Sequence, residues 1–569
     1  MTGQEQTEIE RKYDIEGLRP VPSLQGVDGI TAETVEEPFI LTAVYYDTDD
    51  HALARNRIVL RRREGGGDAG WHLKTPAEEG RTEVHWPLDV GGADSSGGES
   101  IPADVLEPVR AIVRDRPLTP LARISTVRTA VRLSDADGQA LAEIADDLVS
   151  ASDARGGMYR KWREWEAELL DGAPDTRKKR TALLDAVEQA LLAAGATPST
   201  SVAKIARAVG VRSLTDLSGA EVLPGLLPAA ALQHPDSAGA IVVGALRELT
   251  ATLVAQDPLA RADAPNAVHQ MRTTVRRLRS VLAVYARLFE KSAVTELRLE
   301  LRYLGARLGR ARDAGVRGAR LAGELDGIED YPTDDAQTRL VGGARRDYAE
   351  GLVAVRACLL STRYYRLLDS LDSFVAWPPL TAKAELPAAA EIARDLDKAV
   401  GVLAHRTSAV TDADAPEPAL HEVRKAARRL RYAAEAVAEA QPAPGGPVTE
   451  PAAKNSAKNS AKQSDTKAAK KEAAKRVEAA ARFAKHRRDY AHLAKVAKPL
   501  VKRLGDRHDG LLYIEELDRA AKAAYESGEN TLVYGLLVAR AERLDDTVPV
   551  ALGEAHRAVR ALKRLVRDL

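Results

Sequence analysis

The sequence is poor in cysteine and in aromatic residues, and it has no excess charge of either sign. The one cysteine among 569 residues, Cys358, cannot form an internal disulfide, which is typical of proteins in a reducing compartment. Lys+Arg and Asp+Glu both number 83, so only the local placement of charge can indicate an anionic partner. The first residues lack the apolar core of a signal peptide, and no later segment approaches about 18 uninterrupted apolar residues. We therefore expect a cytoplasmic protein with no membrane partner.

Two kinds of hydrophobic pattern divide the chain. Aromatic residues make up only 4%, and alanine, leucine, arginine and glutamate dominate, which favours long helices over most of the length. Residues 1–170 differ, because short alternating runs separated by Gly, Pro and Asp predict an antiparallel barrel or sandwich. Residues 177–210 have a helical pattern, so we place the first domain at 1–210.

The remainder is predicted to be a separate helical domain. Residues 211–235 contain several prolines and little charge, which indicates a linker. The pattern over 236–569 is almost continuously helical, with a low-complexity insertion at 441–470. We predict a disordered loop there, with the alternative that its KKEAAK end extends the following helix. The predicted fold class is α+β multidomain: an N-terminal antiparallel β-barrel followed by an all-α domain.

Charged residues in the first domain repeat at the spacing of a strand face. Residues two apart in a strand point the same way, so Glu8, Glu10 and Lys12 share one surface. Similar spacings recur in four later strands: Arg61 and Arg63, Arg81 and Glu83, Glu143 and Asp147, and Glu164, Glu166 and Glu168. On any one strand this is typical of a solvated outer face. Five together favour a barrel interior that binds a polyanion, with Mg²⁺ or Mn²⁺ held by the hard carboxylate oxygens.

These residues stand in motifs that resemble the CYTH family, whose members include class IV adenylate cyclases, thiamine triphosphatases and inorganic triphosphatases. The resemblance covers residues 1–210 and rests on an ordered set of segments: EIERK at 8–12, YYDT at 45–48, LRRR at 60–63, LK at 73–74, RTE at 81–83, EIADD at 143–147 and EWEAEL at 164–169.

The resemblance implies an eight-stranded antiparallel tunnel that holds a triphosphate along its bore. It implies metal ligands at Glu8, Glu10, Glu166 and Glu168, with Asp147 as a further ligand or a residue that orients water. It also implies phosphate-binding cations at Lys12, Arg61, Arg63, Lys74, Arg81, Arg128 and Lys204. The catalytic set would be Glu8, Glu10, Lys12 and Asp147, acting by in-line attack of metal-activated water on a terminal phosphorus.

Two other features of the first domain are interpreted as structural. Gly65, Gly66 and Gly67 have no following GK[ST] segment, so they predict a hairpin turn rather than a phosphate loop. His72 and His85 lie near tryptophans on separate strands, where packing or exposure is expected rather than metal binding.

The second domain contains an internal repeat, HQMRTTVRRLR and HEVRKAARRLR. Each copy places one histidine and three arginines within an arc of about 80° on a helix. The two stripes are His269, Arg272, Arg276 and Arg279, and His421, Arg424, Arg428 and Arg431. Stacked like charges repel by a few tenths of a kcal/mol per pair, so the stripes need either acidic partners on neighbouring helices or a bound polyanion. Duplication favours the polyanion, and the symmetry predicts that the two stripes contribute comparably.

A second duplicated segment accompanies each stripe: LGRARD at 308–313 and LGDRHD at 504–509. Together the repeats resemble the CHAD family, the conserved-histidine α-helical domain, over 236–569, with His508 in place of the motif's arginine. The resemblance implies two four-helix bundles and a basic groove that binds inorganic polyphosphate. Nearby basic residues that would widen the groove are Arg298, Arg302, Arg482, Arg488, Lys495 and Lys502.

We therefore predict a metal-dependent triphosphatase, acting on inorganic tripolyphosphate, joined to a polyphosphate-binding module that would locate it to polyphosphate granules. Two alternatives remain open: cyclase or thiamine triphosphatase chemistry in the same tunnel, and a non-catalytic polyphosphate-targeting protein. Nucleic acid is disfavoured as a partner, because the stripes lack the interleaved aromatic residues that stack on bases.

Overall fold

The computed structural model describes residues 3–567 and 569, with gaps at 90–99, 202, 212–235, 329, 441–461 and 543–546; the side chains of 462–482 and 484 are not described either. The chain divides into two compact units, Met1–Glu221 and Val222–Leu569. The predicted linker at 211–235 lies almost wholly outside the described residues.

The first unit is built on one antiparallel sheet. Its strands, over the described residues, are β1 Gln4–Glu8, β2 Glu10–Asp14, β3 Ala32–Val35, β4 Phe39–Asp47, β5 Val59–Glu64, β6 Gly70–Pro76, β7 Arg81–Pro87, β8 Thr119–Ser134, β9 Ala140–Asp153, β10 Tyr159–Leu169 and β11 Thr197–Pro198. Its helices are α1 Ala52–Arg55, α2 Ala103–Leu106, α3 Arg110–Val113, α4 Arg177–Ala193 and α5 Lys204–Val209.

The sheet closes on itself through its first strand, which is interrupted at Ile9. The half before the interruption, β1, pairs with β7, whereas the half after it, β2, pairs with β10. The other strands follow in the order β7-β6-β5-β4-β8-β9-β10, so the ring is complete. Counting β1 and β2 as one, eight strands form the wall, and the short β3 and β11 pair outside this ring with β8 and β2. The predicted antiparallel barrel is confirmed.

The helical pattern predicted at 177–210 corresponds to two helices, α4 and α5, which flank the short β11. Gly195, with φ of +98°, follows the end of α4 and adopts a left-handed conformation that ends helices. Both helices pack on the barrel through apolar faces. The α4 face that includes Leu184 and Val187 meets Tyr13 and Trp165, and Ile205 of α5 lies in a cluster with Val149 and Trp162.

The second unit is helical throughout its described residues. Its helices are α6 Ala238–Arg261, α7 Ala267–Val284, α8 Lys291–Asp326, α9 Asp334–Ala336, α10 Gly342–Leu359, α11 Thr362–Ala376, α12 Ala388–Ser408, α13 Pro416–Glu439, α14 Lys462–Glu526, α15 Leu532–Glu542 and α16 Val548–Arg567. Shorter turns lie at Ala286–Leu288, Gln337–Val341 and Ala382–Glu385.

The internal repeat appears as a repeated packing arrangement. In the first half α7 packs on α6 and α8, and α8 packs on α10; in the second half α13 packs on α12 and α14, and α14 packs on α16. The stripe helices α7 and α13 also pack on each other. Two four-helix assemblies therefore meet along the helices that carry the histidine and arginine stripes.

At the end of the predicted 441–470 loop, the alternative that this segment extends the following helix is confirmed. Residues 441–461 lie outside the described residues, but 462–470 form the start of α14, which continues through the KKEAAK segment. Lysine and alanine dominate this start, and both have high helix propensity. Elsewhere, α6 is long and apolar enough to cross a membrane by length and composition alone, but 67% of its apolar window is buried within the protein, as in a core helix. Cys358 is buried and unpaired.

Candidate functional site

A cavity of about 370 Å³ inside the barrel collects most of the residues singled out in the first domain. Among its lining residues are Glu8, Glu10, Lys12, Arg61, Arg63, Lys74, Arg81, Arg128, Glu166, Glu168 and Lys204. Asp147 does not line the cavity; it is fully buried behind the wall. Strand parity thus turns six of these cations and four of these carboxylates toward one volume, and Lys204 of α5 adds a seventh cation.

Three carboxylates surround the ammonium group of Lys204; Glu166 lines the cavity, whereas Asp147 and Glu164 are buried beside it. Lys204 Nζ lies 2.8 Å from Asp147 Oδ2, 2.8 Å from Glu164 Oε1 and 2.7 Å from Glu166 Oε1. Arg128 donates to Asp147 through two nitrogens, at 2.8 and 2.7 Å, and to Glu166 at 2.8 Å. Although burial alone would raise them, these cations hold the pKa values of Asp147 and Glu166 below their usual range. The three carboxylates have oxygens within 4.8 Å of one another and could hold a metal ion, but Lys204 contacts all three.

A second group of carboxylates lies where β1, β2 and β10 meet. Lys74 Nζ donates to Glu8 at 2.6 Å, and Lys12 Nζ donates to Glu10 at 2.9 Å and also to Glu166. Glu168 is the cross-strand neighbour of Glu10. Burial, followed by the charge of Glu8 and then of Glu10, raises the pKa of Glu168 to about 7.

This second group has the chemistry that a divalent cation requires. Glu8, Glu10 and Glu168 are hard oxygen donors of like charge, and Mg²⁺ and Mn²⁺ prefer such ligands. The charges of Glu8 and Glu10 add to the effect of burial on the pKa of Glu168, as expected for three carboxylates that lie close together. Glu8, Glu10 and Glu168 therefore fit a bound divalent cation, as a metal-dependent tunnel would need.

The opposite wall presents guanidinium groups. Arg61 lies 3.5 Å from Glu83, and Arg63 pairs with Asp68 beside the Gly65–Gly67 turn. The Nε atoms of Arg61 and Arg63 are buried and have no hydrogen-bond partner among the described residues. An anion in the cavity would supply acceptors that this wall lacks.

Glu83, for which the sequence predicted no role, contacts several groups of this wall. His72 Nδ1 lies 2.8 Å from Glu83 Oε1, and its Nε2 lies 3.0 Å from the Asp68 carbonyl oxygen. Glu83 in turn lies 3.5 Å from Arg61 and 3.7 Å from Lys74. His72 is buried, as expected from packing, but it also fixes a carboxylate between two cavity cations. The signal was present in the strand spacing, since Glu83 lies two residues after Arg81.

In the helical unit, the LG…D segments receive an arginine from each stripe. Arg272 lies 2.6 Å from Asp313, and its guanidinium lies over Gly309. In the second half, Arg424 lies 3.6 Å from Asp509, and its guanidinium lies over Gly505. Glycine at these two positions leaves the space that the planar guanidinium group occupies. In each half, the repeated motif therefore provides the place where one stripe arginine packs.

Where α7 and α13 pack on each other, the central arginines of the stripes carry positive charge that has no acidic partner among the described residues. Arg276 and Arg428 have no carboxylate within ion-pair distance anywhere in the described part of the chain. Burial, together with Arg272, lowers the pKa of Arg276, and burial with Arg276 and Arg424 lowers the pKa of Arg428 to about 10. Partnering by acidic residues on neighbouring helices therefore accounts for the outer Arg272 and Arg424 but not for this central pair.

The histidines that begin the stripes have different surroundings. The rings of His421 and His508 lie 4.4 Å apart, and His421 Nδ1 is buried with no partner among the described residues. Burial and then Arg312 lower the pKa of His269. The substitution of the motif's arginine by His508 therefore replaces a permanent charge with a titratable one.

Comparisons with known proteins agree with this division of the chain. The CYTH domain family matches residues 6–200, and the CHAD domain family matches residues 244–455. An uncharacterized protein of Mycobacterium tuberculosis, found in strains CDC 1551 and H37Rv, is 36% identical over 574 residues, covering 97% of each chain. Among solved structures, the CHAD domain from the plant Ricinus communis is 21% identical, with a TM-score of 0.38, and covers 58% of this chain and 97% of its own. PptA from Streptomyces chartreusis is 16% identical, with a TM-score of 0.35, over 58% and 98%.

Proposed function

Because the chain belongs to the family that joins a CYTH domain to a CHAD domain, we propose that its tunnel hydrolyses inorganic tripolyphosphate and that its helical unit binds inorganic polyphosphate. The CYTH domain belongs to a metal-dependent family of triphosphate tunnel enzymes, and to this we add the substrate and the reaction. The observation that carries the proposal is the pairing of carboxylates with cations around one internal cavity.

The tunnel pairs are suited to exchange partners when a triphosphate enters. Lys74 and Lys12 neutralise Glu8 and Glu10. Phosphate oxygens would compete for the same ammonium groups, which would leave the carboxylates available. Glu8, Glu10 and Glu168 would then hold Mg²⁺ or Mn²⁺, which lowers the pKa of bound water and neutralises phosphate charge.

The chain's own groups would bind and orient the anion. Arg61, Arg63 and Arg81 would contact phosphate oxygens from one wall, and Arg128 and Lys12 from the other. Guanidinium groups fixed by carboxylates, as Arg128 is by Asp147, are already oriented when the anion arrives, and such preorganised charge stabilises the spread charge of a phosphoryl-transfer transition state. Asp147 would thus be a positioning residue, held away from the cavity by Arg128 and Lys204.

The lining favours an inorganic substrate over a nucleotide or thiamine triphosphate. Phe39 and Tyr45 are the aromatic residues among those lining the cavity, and Tyr45 is the cross-strand neighbour of Arg61. Stacking on aromatic faces is the usual way to hold a base or a thiazolium ring. Because few aromatic residues line the cavity, cyclisation or hydrolysis of an organic triphosphate is the second candidate.

Polyphosphate binding by the helical unit is supported by the central arginines. Arg276 and Arg428 are partly buried beside like charges, an arrangement that an anion would stabilise. A cytoplasmic location and an association with polyphosphate granules stay predictions.

The test is phosphate release by the purified full-length protein from tripolyphosphate, long polyphosphate, ATP and thiamine triphosphate, each with Mg²⁺ or Mn²⁺. We expect tripolyphosphate to be the fastest substrate. Glu8→Gln combined with Glu10→Gln keeps the shape but removes the charge that holds metal, so turnover should fall by at least about 100-fold. Glu64→Gln, an exposed carboxylate on the same sheet, is the matched control. Turnover by the double variant at the wild-type rate would exclude the metal assignment, and cyclic nucleotide product would favour the second candidate.

A further inference from the structure

The two halves of the polyphosphate groove differ in charge beyond the central arginines. The stripes share the same residues at the same offsets, so the difference comes from what surrounds their last arginines, Arg279 and Arg431. These two positions are equivalent in the repeat.

Arg279 faces other arginines. Burial and then Arg298, Arg302 and Arg429 lower its pKa, and no carboxylate lies within ion-pair distance of it in the described part of the chain. Arg298 and Arg302 stand on α8 four residues apart, on one side of that helix. The first half of the groove thus ends in an arginine surface contributed by α7, α8 and α13.

The acidic groups near this surface are already occupied. Glu422 is the carboxylate that acts on Arg429, and it lies 2.5 Å from Arg406 and 2.7 Å from Lys425. Glu300, between Arg298 and Arg302 in sequence, lies 2.7 Å from Arg363.

Arg431 has an acidic partner of its own. Its Nε donates to Glu435, one helical turn further along α13, at 2.8 Å. Glu439, one turn further still, pairs with Arg277. At the position equivalent to Glu435 the first half has Ala283, which cannot neutralise Arg279.

From this difference we propose that a linear polyphosphate bound at Arg276 and Arg428 continues in one direction only, past Arg279 onto Arg298 and Arg302. The proposal rests on the polyphosphate binding proposed above. At the other end Arg431 is already paired with Glu435, so it offers less positive charge to an extended anion than Arg279 does. The site is therefore a central pocket with a one-sided extension, and its ligand class is a chain of phosphates too long for the pocket alone.

Counterion release gives the expected size of the effect. A single-stranded polyanion loses affinity with salt at a log-log slope of roughly 0.7 per neutralised phosphate. Replacing Arg279, Arg298 and Arg302 by alanine should lower the slope for long polyphosphate by about 2. Between about 50 and 200 mM salt, wild type should then lose roughly 16-fold more affinity than this variant does.

The experiment titrates the full-length protein with fluorescently labelled polyphosphate of tens of units over a salt series, with EDTA present to prevent hydrolysis. The Arg276→Ala, Arg428→Ala variant measures binding outside the groove, including binding in the tunnel. Arg279→Ala and Arg431→Ala form the matched pair at equivalent positions, and Arg339→Ala, which removes an ion pair to Glu529 elsewhere, is the control.

We expect the Arg279→Ala variant to lose more affinity and more salt slope than the Arg431→Ala variant, and Glu435→Gln to strengthen binding of long chains. Equal losses at Arg279 and Arg431, or a triple variant that binds long chains as wild type does, would overturn the one-sided extension while leaving the groove intact. If the Arg276→Ala, Arg428→Ala variant also bound as wild type does, polyphosphate binding in the groove would be wrong and the extension with it.

Discussion

Arg428 offers a test of whether the groove is stable without its ligand. Burial, Arg276 and Arg424 lower the pKa of Arg428 to about 10, against an ordinary value of 12.5 or above. Each pKa unit corresponds to about 1.4 kcal/mol, which gives an upper bound of roughly 3 kcal/mol for the cost of the charge. The guanidinium remains partly accessible to solvent, and screening reduces this to about 1 to 2 kcal/mol.

We therefore predict that Arg428→Met stabilises the protein in the absence of polyphosphate. Methionine keeps the length and apolar contacts of the arginine stem while removing the charge. The free energy of unfolding of the helical unit should rise by about 1 to 2 kcal/mol, and the melting temperature by a few degrees. The measurement is thermal unfolding in EDTA at low salt, where repulsion is least screened.

Adding polyphosphate should reverse the order of stability. A ligand that binds only the folded state stabilises it by an amount that grows with the ratio of its concentration to Kd. Wild type should therefore gain more from polyphosphate than Arg428→Met does. The Arg339→Met variant, which breaks the ion pair with Glu529, should show neither effect. A less stable Arg428→Met protein, with polyphosphate stabilising it as much as wild type, would refute the idea that uncompensated charge at Arg428 marks an anion site.

Three further predictions concern titratable groups. Burial and nearby cations keep the pKa values of His421 and His508 low until an anion binds, so polyphosphate affinity should strengthen as pH falls. His508→Arg should therefore remove much of this pH dependence, and Arg312→His should increase it. Titrations with polyphosphate between pH 5.5 and 8 would test both. Lys204→Met should destabilise the first unit by about 3 kcal/mol in thermal unfolding, because three buried carboxylates lose their ammonium, and added Mn²⁺ should restore part of the loss. The pKa of Glu168 is raised to about 7, so metal affinity should increase as pH rises through 7 in wild type and change less in Glu168→Gln, by calorimetry.

The period-2 pattern predicted an antiparallel barrel or sandwich, and most of the charged residues that it placed on shared strand faces line the bore, although Asp147 and Glu164 do not. Glu8, Glu10 and Lys12 line one cavity with Arg61 and Arg63 because parity alone determines which side of a strand a residue occupies. Parity does not determine which strands become neighbours. The interruption at Ile9, which lets one strand pair with both β7 and β10, has no signal in the sequence that we can identify.

Partner choice inside the tunnel could not be predicted for the same reason. Lys204 is 57 residues from Asp147 and lies on a helix, so no spacing rule connects its ammonium to the three carboxylates that it contacts. The contact between His72 and Glu83 is a diagonal pair between the neighbouring strands β6 and β7, and it depends on the register of that pairing.

The expectation of comparable contributions from the two stripes is revised by a signal that the sequence did contain. Arg431 and Glu435 are separated by four residues on a helix, the spacing at which side chains of opposite charge pair. Ala283 stands where the first stripe would need the same partner. Matching only the shared offsets of a repeat hides such differences, because symmetry is broken by the residues that the copies do not share.

Cations in the first unit are mostly paired with carboxylates, whereas the central arginines of the second unit are not. This difference predicts how each unit responds to its ligand. In the tunnel nearly every cation has a carboxylate, as Lys12 has Glu10 and Lys74 has Glu8. An anion that takes those cations leaves carboxylates uncompensated, so triphosphate and divalent metal should each strengthen the binding of the other. In the groove Arg276 and Arg428 have no such partners in the described part of the chain, so an anion releases no buried negative charge there. Polyphosphate should therefore bind the helical unit without divalent metal, whereas the tunnel requires both ligands together.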